Sequence, residues 1–138
     1  MRLFTIGYGG RKPSDFVSVL NDHGIKLVVD VRGRPDRAHL GSFAKAKTPD
    51  KGIQKLLASG GIDYVSIPEL GNPFYHEDDW VEHYQQLFAK HGKRQIPHLL
   101  KLKKRFALMC AEKYVKDCHR QFIATELEHR GCTVVHIE

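Results

Sequence analysis

Leu27-Val28-Val29-Asp30-Val31-Arg32 is the stretch whose reading decides the fold. Its apolar residues run on without the polar alternation of a half-exposed strand, which marks a strand covered on both faces, as in a parallel sheet. Upstream, Leu3-Phe4-Thr5-Ile6 reads as a short strand ending in Gly7-Tyr8-Gly9-Gly10. Pro13 then opens a helix whose Phe16, Val17 and Leu20 share one face, and Gly24 closes it. Strand, helix and strand in this order form a right-handed crossover unit.

Downstream, Arg32 to Lys47 is polar, basic and without period, a loop long enough to suggest function. Thr48-Pro49 predicts an N-cap and first-turn proline for a helix carrying Ile53, Leu56 and Leu57, stopped by Gly60-Gly61. Ile62 to Ile67 reads as a third strand running into Pro68-Glu69-Leu70-Gly71. Trp80, Val81, Tyr84, Leu87 and Phe88 have the spacing of an amphipathic helix ended by Gly92, and Ile96 to Lys104 follows as a shorter one. Arg105 to Cys110 is a fourth strand, a helix from near Asp117 turns Phe122, Ile123 and Leu127 inward, and Cys132 to Ile137 is the last strand. The alternation predicts a single α/β domain over residues 1–138, with a mostly parallel central sheet of about five strands flanked by helices in three layers.

Composition limits the function classes. The 138 residues are 41% hydrophobic and 28% charged, enough for one packed core and unlike a disordered chain. No apolar stretch approaches the roughly 20 residues of a membrane helix, and the amino end has too short an apolar run for a signal peptide. Three cysteines do not make a secreted disulfide scaffold, so a cytoplasmic, reducing compartment is expected. The net charge of +6 favours anionic partners.

In open parallel sheets, ligands bind beyond the carboxyl ends of the strands. Tyr8 follows the first strand, Asp30 and Arg32 the second with Arg34 and Arg37 behind them, Glu69 the third, and Cys110 and Glu112 the fourth. Cys118-His119-Arg120 stands at a helix start. If the strands are parallel, all of these meet on one rim. Cations in the first turn of a helix oppose its dipole, so His119 and Arg120 call for something negative: Asp117, an ion pair with Glu112 or Asp30, or a bound anion.

Each candidate has a structural counterpart. Cys110 and Cys118 are candidates for a nucleophile or a redox pair, with Cys118 favoured beside His119 and Arg120, or for inert buried thiols. Neither Cys-x-x-Cys nor the phosphatase spacing Cys-x5-Arg is present, because Lys116 stands in the arginine's place. A zinc set of Cys110, Cys118, His119 and His136 matches no common ligand spacing, and no metal or cofactor is singled out. Glu69, Glu112 and His119 are an acid/base set, or else glutamates that pin arginines and loop amides. Gly7-Tyr8-Gly9-Gly10 is either a phosphate cradle or a tight strand-to-helix turn. Phe74-Tyr75 is a weaker candidate for a lid. Lysine clusters at Lys45, Lys47, Lys51 and Lys55 and at Lys101, Lys103, Lys104 and Arg105 would give salt-sensitive binding to nucleic acid, or form solvated surface.

Taken together, Thr5 to Tyr8, Leu27 to Arg32, Pro68 to Gly71, Met109-Cys110-Ala111-Glu112, Cys118-His119-Arg120 and the tail from Ile123-Ala124 to Val135-His136-Ile137 resemble the domain-of-unknown-function family numbered 488. The likeness runs over essentially the whole chain and implies a small prokaryotic α/β domain without a settled activity. Tyr8, Asp30, Arg32, Glu69, Cys110, Glu112, Cys118, His119 and Arg120 fall on the family's motif positions, whereas Tyr8-Gly9-Gly10 departs from the His-Ser-Asn of many members.

The expectation is an enzyme of hydrolase or transferase type acting on a small anionic, phosphorylated or nucleotide-like molecule. In it Arg32 and Arg120 hold the anion, Glu112 and His119 serve as acid and base, and Cys118 as a candidate nucleophile. Asp30 and Glu69 orient the substrate, and Tyr8 and Cys110 line the site. The alternative is a non-catalytic module binding nucleic acid or an anionic ligand.

Overall fold

The computed structural model describes residues 1–138. Five strands, β1 (Arg2–Gly7), β2 (Leu27–Asp30), β3 (Asp63–Ser66), β4 (Phe106–Cys110) and β5 (Thr133–Ile137), form one sheet in the order β3-β2-β4-β1-β5, with every pairing parallel. Five α-helices cover it: α1 (Pro13–Asp22), α2 (Gly52–Ala58), α3 (Trp80–Lys90), α4 (Ile96–Leu100) and α5 (Arg120–His129). This is the three-layer α/β arrangement that the continuous apolar strands require.

Alternate residues of each central strand enter opposite cores. Phe4, Ile6, Val28, Ala107 and Met109 pack under Phe16 and Leu20 of α1 and Ile53 and Leu57 of α2. Leu3, Leu27, Val29, Phe106 and Leu108 pack under Tyr84 of α3, Leu99 of α4, and Ile123 and Leu127 of α5. β4 is buried at every residue because it has a neighbour on each edge and a helix layer on each face. Apart from Arg2 at the start of β1, the strand residues that expose charged or polar side chains lie on the edge strands β3 and β5, which discourages further pairing.

The connections from β1 and β2 leave through α1 and α2 on one face, and the connection from β4 leaves through α5 on the other. The carboxyl end of β4 therefore lies between two strands whose chains depart the opposite way. This is the topological switch point at which a crevice opens in such sheets.

Several boundaries differ from the sequence reading. The second helix begins at Gly52, not at Thr48-Pro49, because Gly52 takes φ +66° and passes so close to Ala44 that a Cβ would sit 2.2 Å from its carbonyl oxygen. Thr48 instead hydrogen-bonds Asp50. The last helix starts at Arg120 rather than near Asp117, which lies in a separate 3-10 turn, Val115–Asp117. The helix expected over Ile96 to Lys104 stops at Leu100, and Val81 faces solvent rather than the core.

Backbone pairing continues past the strand ends: the amides of Tyr8 and Gly9 donate to the carbonyls of Cys110 and Ala111, and that of Val31 to Met109. Gly7 makes this close approach feasible, since a Cβ there would lie 1.7 Å from the Glu112 carbonyl oxygen. Gly7→Ala therefore forces the loop after β4 away from β1. It is expected to cost about 1–3 kcal/mol, as overpacking does, read as a lowered urea midpoint; an unchanged midpoint would refute the packing argument.

Candidate functional site

The loops beyond the carboxyl ends of the strands enclose a cleft of about 740 Å³. Tyr8, Arg32, Glu69, Cys110, Glu112 and His119 all contribute to its lining, so residues from the ends of β1, β2, β3 and β4 and from the start of α5 do converge. Arg34, Arg37, Asn72, Tyr75 and His76 complete much of the wall. Asp30, Cys118 and Arg120 stand behind it, each fully or almost fully buried.

On the α1/α2 side, Asp30 is the anchor. Its carboxylate accepts Nε and Nη2 of Arg32 at 2.9 and 2.7 Å, the Arg32 amide at 3.1 Å and the Tyr64 hydroxyl at 2.5 Å. A buried carboxylate with this many donors is satisfied, and it holds a planar guanidinium in a fixed orientation. Burial works against the charge of Arg32, but the hydrogen bonds and charge of Asp30 outweigh it, and the guanidinium is held more firmly charged than usual. Burial and the negative neighbour Asp30 raise the Tyr64 phenol above its ordinary range, so it stays a donor. Arg32 also lies over the Tyr8 ring, 5.2 Å from its centroid, and Tyr8 stacks on Phe43. Asp30 thus acts on the cleft only through Arg32. Tyr64 was missed by sequence reasoning; its alternate position on the strand beside Asp30 was the available signal.

On the other side, Arg120 is completely buried and has no carboxylate partner. Its guanidinium donates to the carbonyls of Glu112 (2.7 Å) and Lys113 (3.2 Å), to Thr5 Oγ1 (3.2 Å) and to Cys110 Sγ (2.8 Å). Burial lowers its pKa to about 10, with Glu112 and Glu138 pulling the other way. The negative partner that the helix start called for is thus neither Asp117 nor an ion pair with Glu112 or Asp30: carbonyl dipoles and a sulfur surround the cation. With its donors directed at the β4 loop, Arg120 holds the cleft wall and does not face the cleft.

His119 donates Nε2–H to the Val31 carbonyl at 2.7 Å, and its ring meets Tyr84 edge-on at 5.0 Å. Nδ1 is therefore the acceptor nitrogen, 3.7 Å from Cys118 Sγ. Burial, reinforced by the charge of Arg120, pushes the imidazole down to about 4, against the Val31 hydrogen bond and the charge of Asp30. The ring is neutral at physiological pH and can accept a proton only weakly. Tyr84, whose hydroxyl donates to the Leu70 carbonyl, fixes the Pro68–Leu70 turn that carries Glu69.

Cys110 and Cys118 are joined as a disulfide, and Cys132 is a free, half-buried thiol. The Glu112 carboxylate comes within 4.8 Å of both paired sulfurs, a grouping that could bind a metal only against the adjacent Arg120 guanidinium. Glu77, Asp79 and His83 form an exposed cluster in which His83 bonds Glu77 at 2.9 Å. Two amides of the Gly7-to-Gly10 turn are taken by the β4 extension, so the turn serves the strand-to-helix connection. Tyr75 lies at the mouth, 60% exposed. Lys103, Lys104 and Arg105 precede β4 and so occupy the opposite rim of the sheet.

The model of the family described as Domain of unknown function DUF488 matches residues 12–127. No curated protein and no solved structure matches the chain.

The neutral His119 makes stability depend on pH. The unfolded chain takes up this proton near the ordinary 6.5 and the folded one only near 4, so the stabilisation is complete above 6.5 and is lost as pH falls toward 4. The loss attributable to His119 amounts to roughly 3 kcal/mol at most. In urea unfolding at pH 7 and near pH 4, His119→Gln is expected to lose less stability on acidification than the unsubstituted chain. Equal losses would contradict the assignment.

Proposed function

The chain belongs to the DUF488 family, whose activity is undefined, and from that premise we propose that it is an enzyme of hydrolase or transferase type acting on a small anionic, phosphate-bearing molecule. The observation that carries this reading is the meeting of Arg32, Arg34 and Arg37 with Glu69 and Glu112 in one cleft at the switch point of a parallel sheet. Arg34 and Arg37 are exposed and supply positive charge at the rim, Arg34 beside Asp36 at 3.5 Å. Arg32, oriented by Asp30, supplies a fixed donor at the cleft wall. Glu112, half-buried and in no ion pair, is the group best placed to move a proton, with Glu69 across the cleft. His119 orients this wall through Val31, and Arg120 positions the Glu112 loop through its carbonyl bonds.

A nucleic-acid partner would be met by the opposite rim, where Lys103, Lys104 and Arg105 gather away from Glu69 and Glu112, with Lys104 paired to Asp63. Such binding would fall steeply with salt and ignore the cleft residues.

Calorimetry with inorganic phosphate and a nucleoside monophosphate separates these readings. The Arg34→Ala/Arg37→Ala double variant is expected to lose about tenfold in affinity, the scale of one lost charge-assisted contact. Glu112→Gln should keep phosphate affinity while abolishing turnover of any phosphate ester that the unsubstituted protein processes. Phosphate affinity indifferent to removal of both arginines would overturn the proposal.

A further inference from the structure

The Cys110–Cys118 pair has surroundings that a purely structural crosslink does not need. Cys110 ends β4 and borders the cleft, whereas Cys118 precedes α5 and is not part of the cleft lining; both are almost fully buried. The two sulfurs are therefore unequal in position: Cys110 is the one that borders the cleft, and Cys118 stands behind it. Against Cys110 Sγ, at 2.8 Å, lies Nη1 of the completely buried Arg120, a cation without a carboxylate partner. Carbonyl dipoles already compensate this buried charge in part, and an anion beside it would be stabilised in turn. When the disulfide is reduced, the Cys110 thiolate is the anion nearest to hand. Cys118 is held differently. Its sulfur accepts the Arg120 amide at 3.4 Å, in the first turn of α5, and faces Nδ1 of a neutral His119.

We propose that Cys110 and Cys118 are a dithiol–disulfide exchange centre opening on the cleft, with Cys110 as the attacking thiolate, Arg120 as its counter-ion and Cys118 as the resolving thiol. The co-reactant is a small disulfide, RSSR. The Cys110 thiolate attacks one sulfur of RSSR, the reagent's S–S bond breaks, and RS⁻ leaves as the Cys110–SR mixed disulfide forms. Cys118 then gives up its proton to the half-buried Glu112 carboxylate, which lies within 4.8 Å and passes it to the cleft. Its thiolate attacks Cys110 Sγ, closing the internal disulfide and expelling the second RS⁻. The protein loses two electrons, and the reagent gains them and takes up protons to become two thiols. His119 Nδ1 accepts the Cys118 S–H and points the resolving thiol toward Cys110. This activity does not depend on the phosphate-ester reading, because the electron exchange calls on neither Arg34 nor Arg37.

The test uses the reduced full chain carrying Cys132→Ser, to remove the unpaired thiol, and dithiodipyridine, an uncharged disulfide that the cleft arginines do not attract. At pH 7 the expected result is attack about tenfold or more faster than on a simple alkyl thiol. Both thiopyridone halves should be released, and the product mass should be that of the closed internal disulfide. Adding Cys118→Ser should arrest the reaction at a mixed disulfide on Cys110. Adding Arg120→Met should slow the first step about tenfold; if that variant does not fold, the Cys118→Ser product decides. Two separate mixed disulfides, reaction at the rate of a simple thiol, an Arg120→Met variant that folds and reacts unchanged, or a native disulfide that dithiothreitol cannot open would each overturn the proposal. Phosphate calorimetry on the same Cys132→Ser protein reports on the anion reading separately, so either can fail alone.

Discussion

A guanidinium with no carboxylate beside it sits at the junction of β1, the loop after β4 and the start of α5. Arg120 reaches Thr5 in the strand, the carbonyls of Glu112 and Lys113 in the loop, and Cys110 at the strand end. Hydrogen bonds to several carbonyls are a workable substitute for an ion pair because each dipole is already fixed by the backbone and needs no side chain ordered to supply it. The consequence is geometric. The cleft wall that carries Glu112 and Cys110 is tied to the sheet and to α5 by one side chain, and its shape follows from where that side chain lies.

The opposite wall follows a different principle. Asp30 is saturated by Arg32 and Tyr64, so charge and counter-charge are matched within a few atoms. One wall has a neutralised arginine that presents directed donors, and the other has an arginine whose charge is spread over dipoles and a sulfur. Both walls are tied down by hydrogen bonds, and Arg34, Arg37 and Tyr75 stand on the exposed rim between them.

The layer order was legible in the sequence because strands buried on both faces leave no polar alternation, and Leu27 to Val31 and Phe106 to Cys110 carry that pattern openly. The rim was legible for the same reason: once the strands are parallel, the residue after each strand falls on one side. What the sequence concealed was the direction of side chains. Arg120 at a helix start suggested a ligand-facing cation, yet its chain turns inward because Thr5 and the Glu112 carbonyl offer acceptors there. Asp30 suggested a substrate contact, yet Arg32 two residues on folds back to claim it. Thr48-Pro49 has the composition of a helix start, but the close passage of Gly52 beneath Ala44 delays the helix. Each miss is a tertiary contact overriding a local preference.

Gly7 has a bearing on how this scaffold can diversify. In most parallel α/β domains the loops beyond the strands are free to vary, since the core ends where they begin. Here the Glu112 carbonyl rests directly on the backbone of β1, so lengthening or redirecting that loop means dismantling part of the pairing between β1 and β4. The rim following β2, built on the long connection through Arg34 and Arg37, has no such tether. New specificities are therefore expected to accumulate on that side, while the sulfur-bearing side stays as it is.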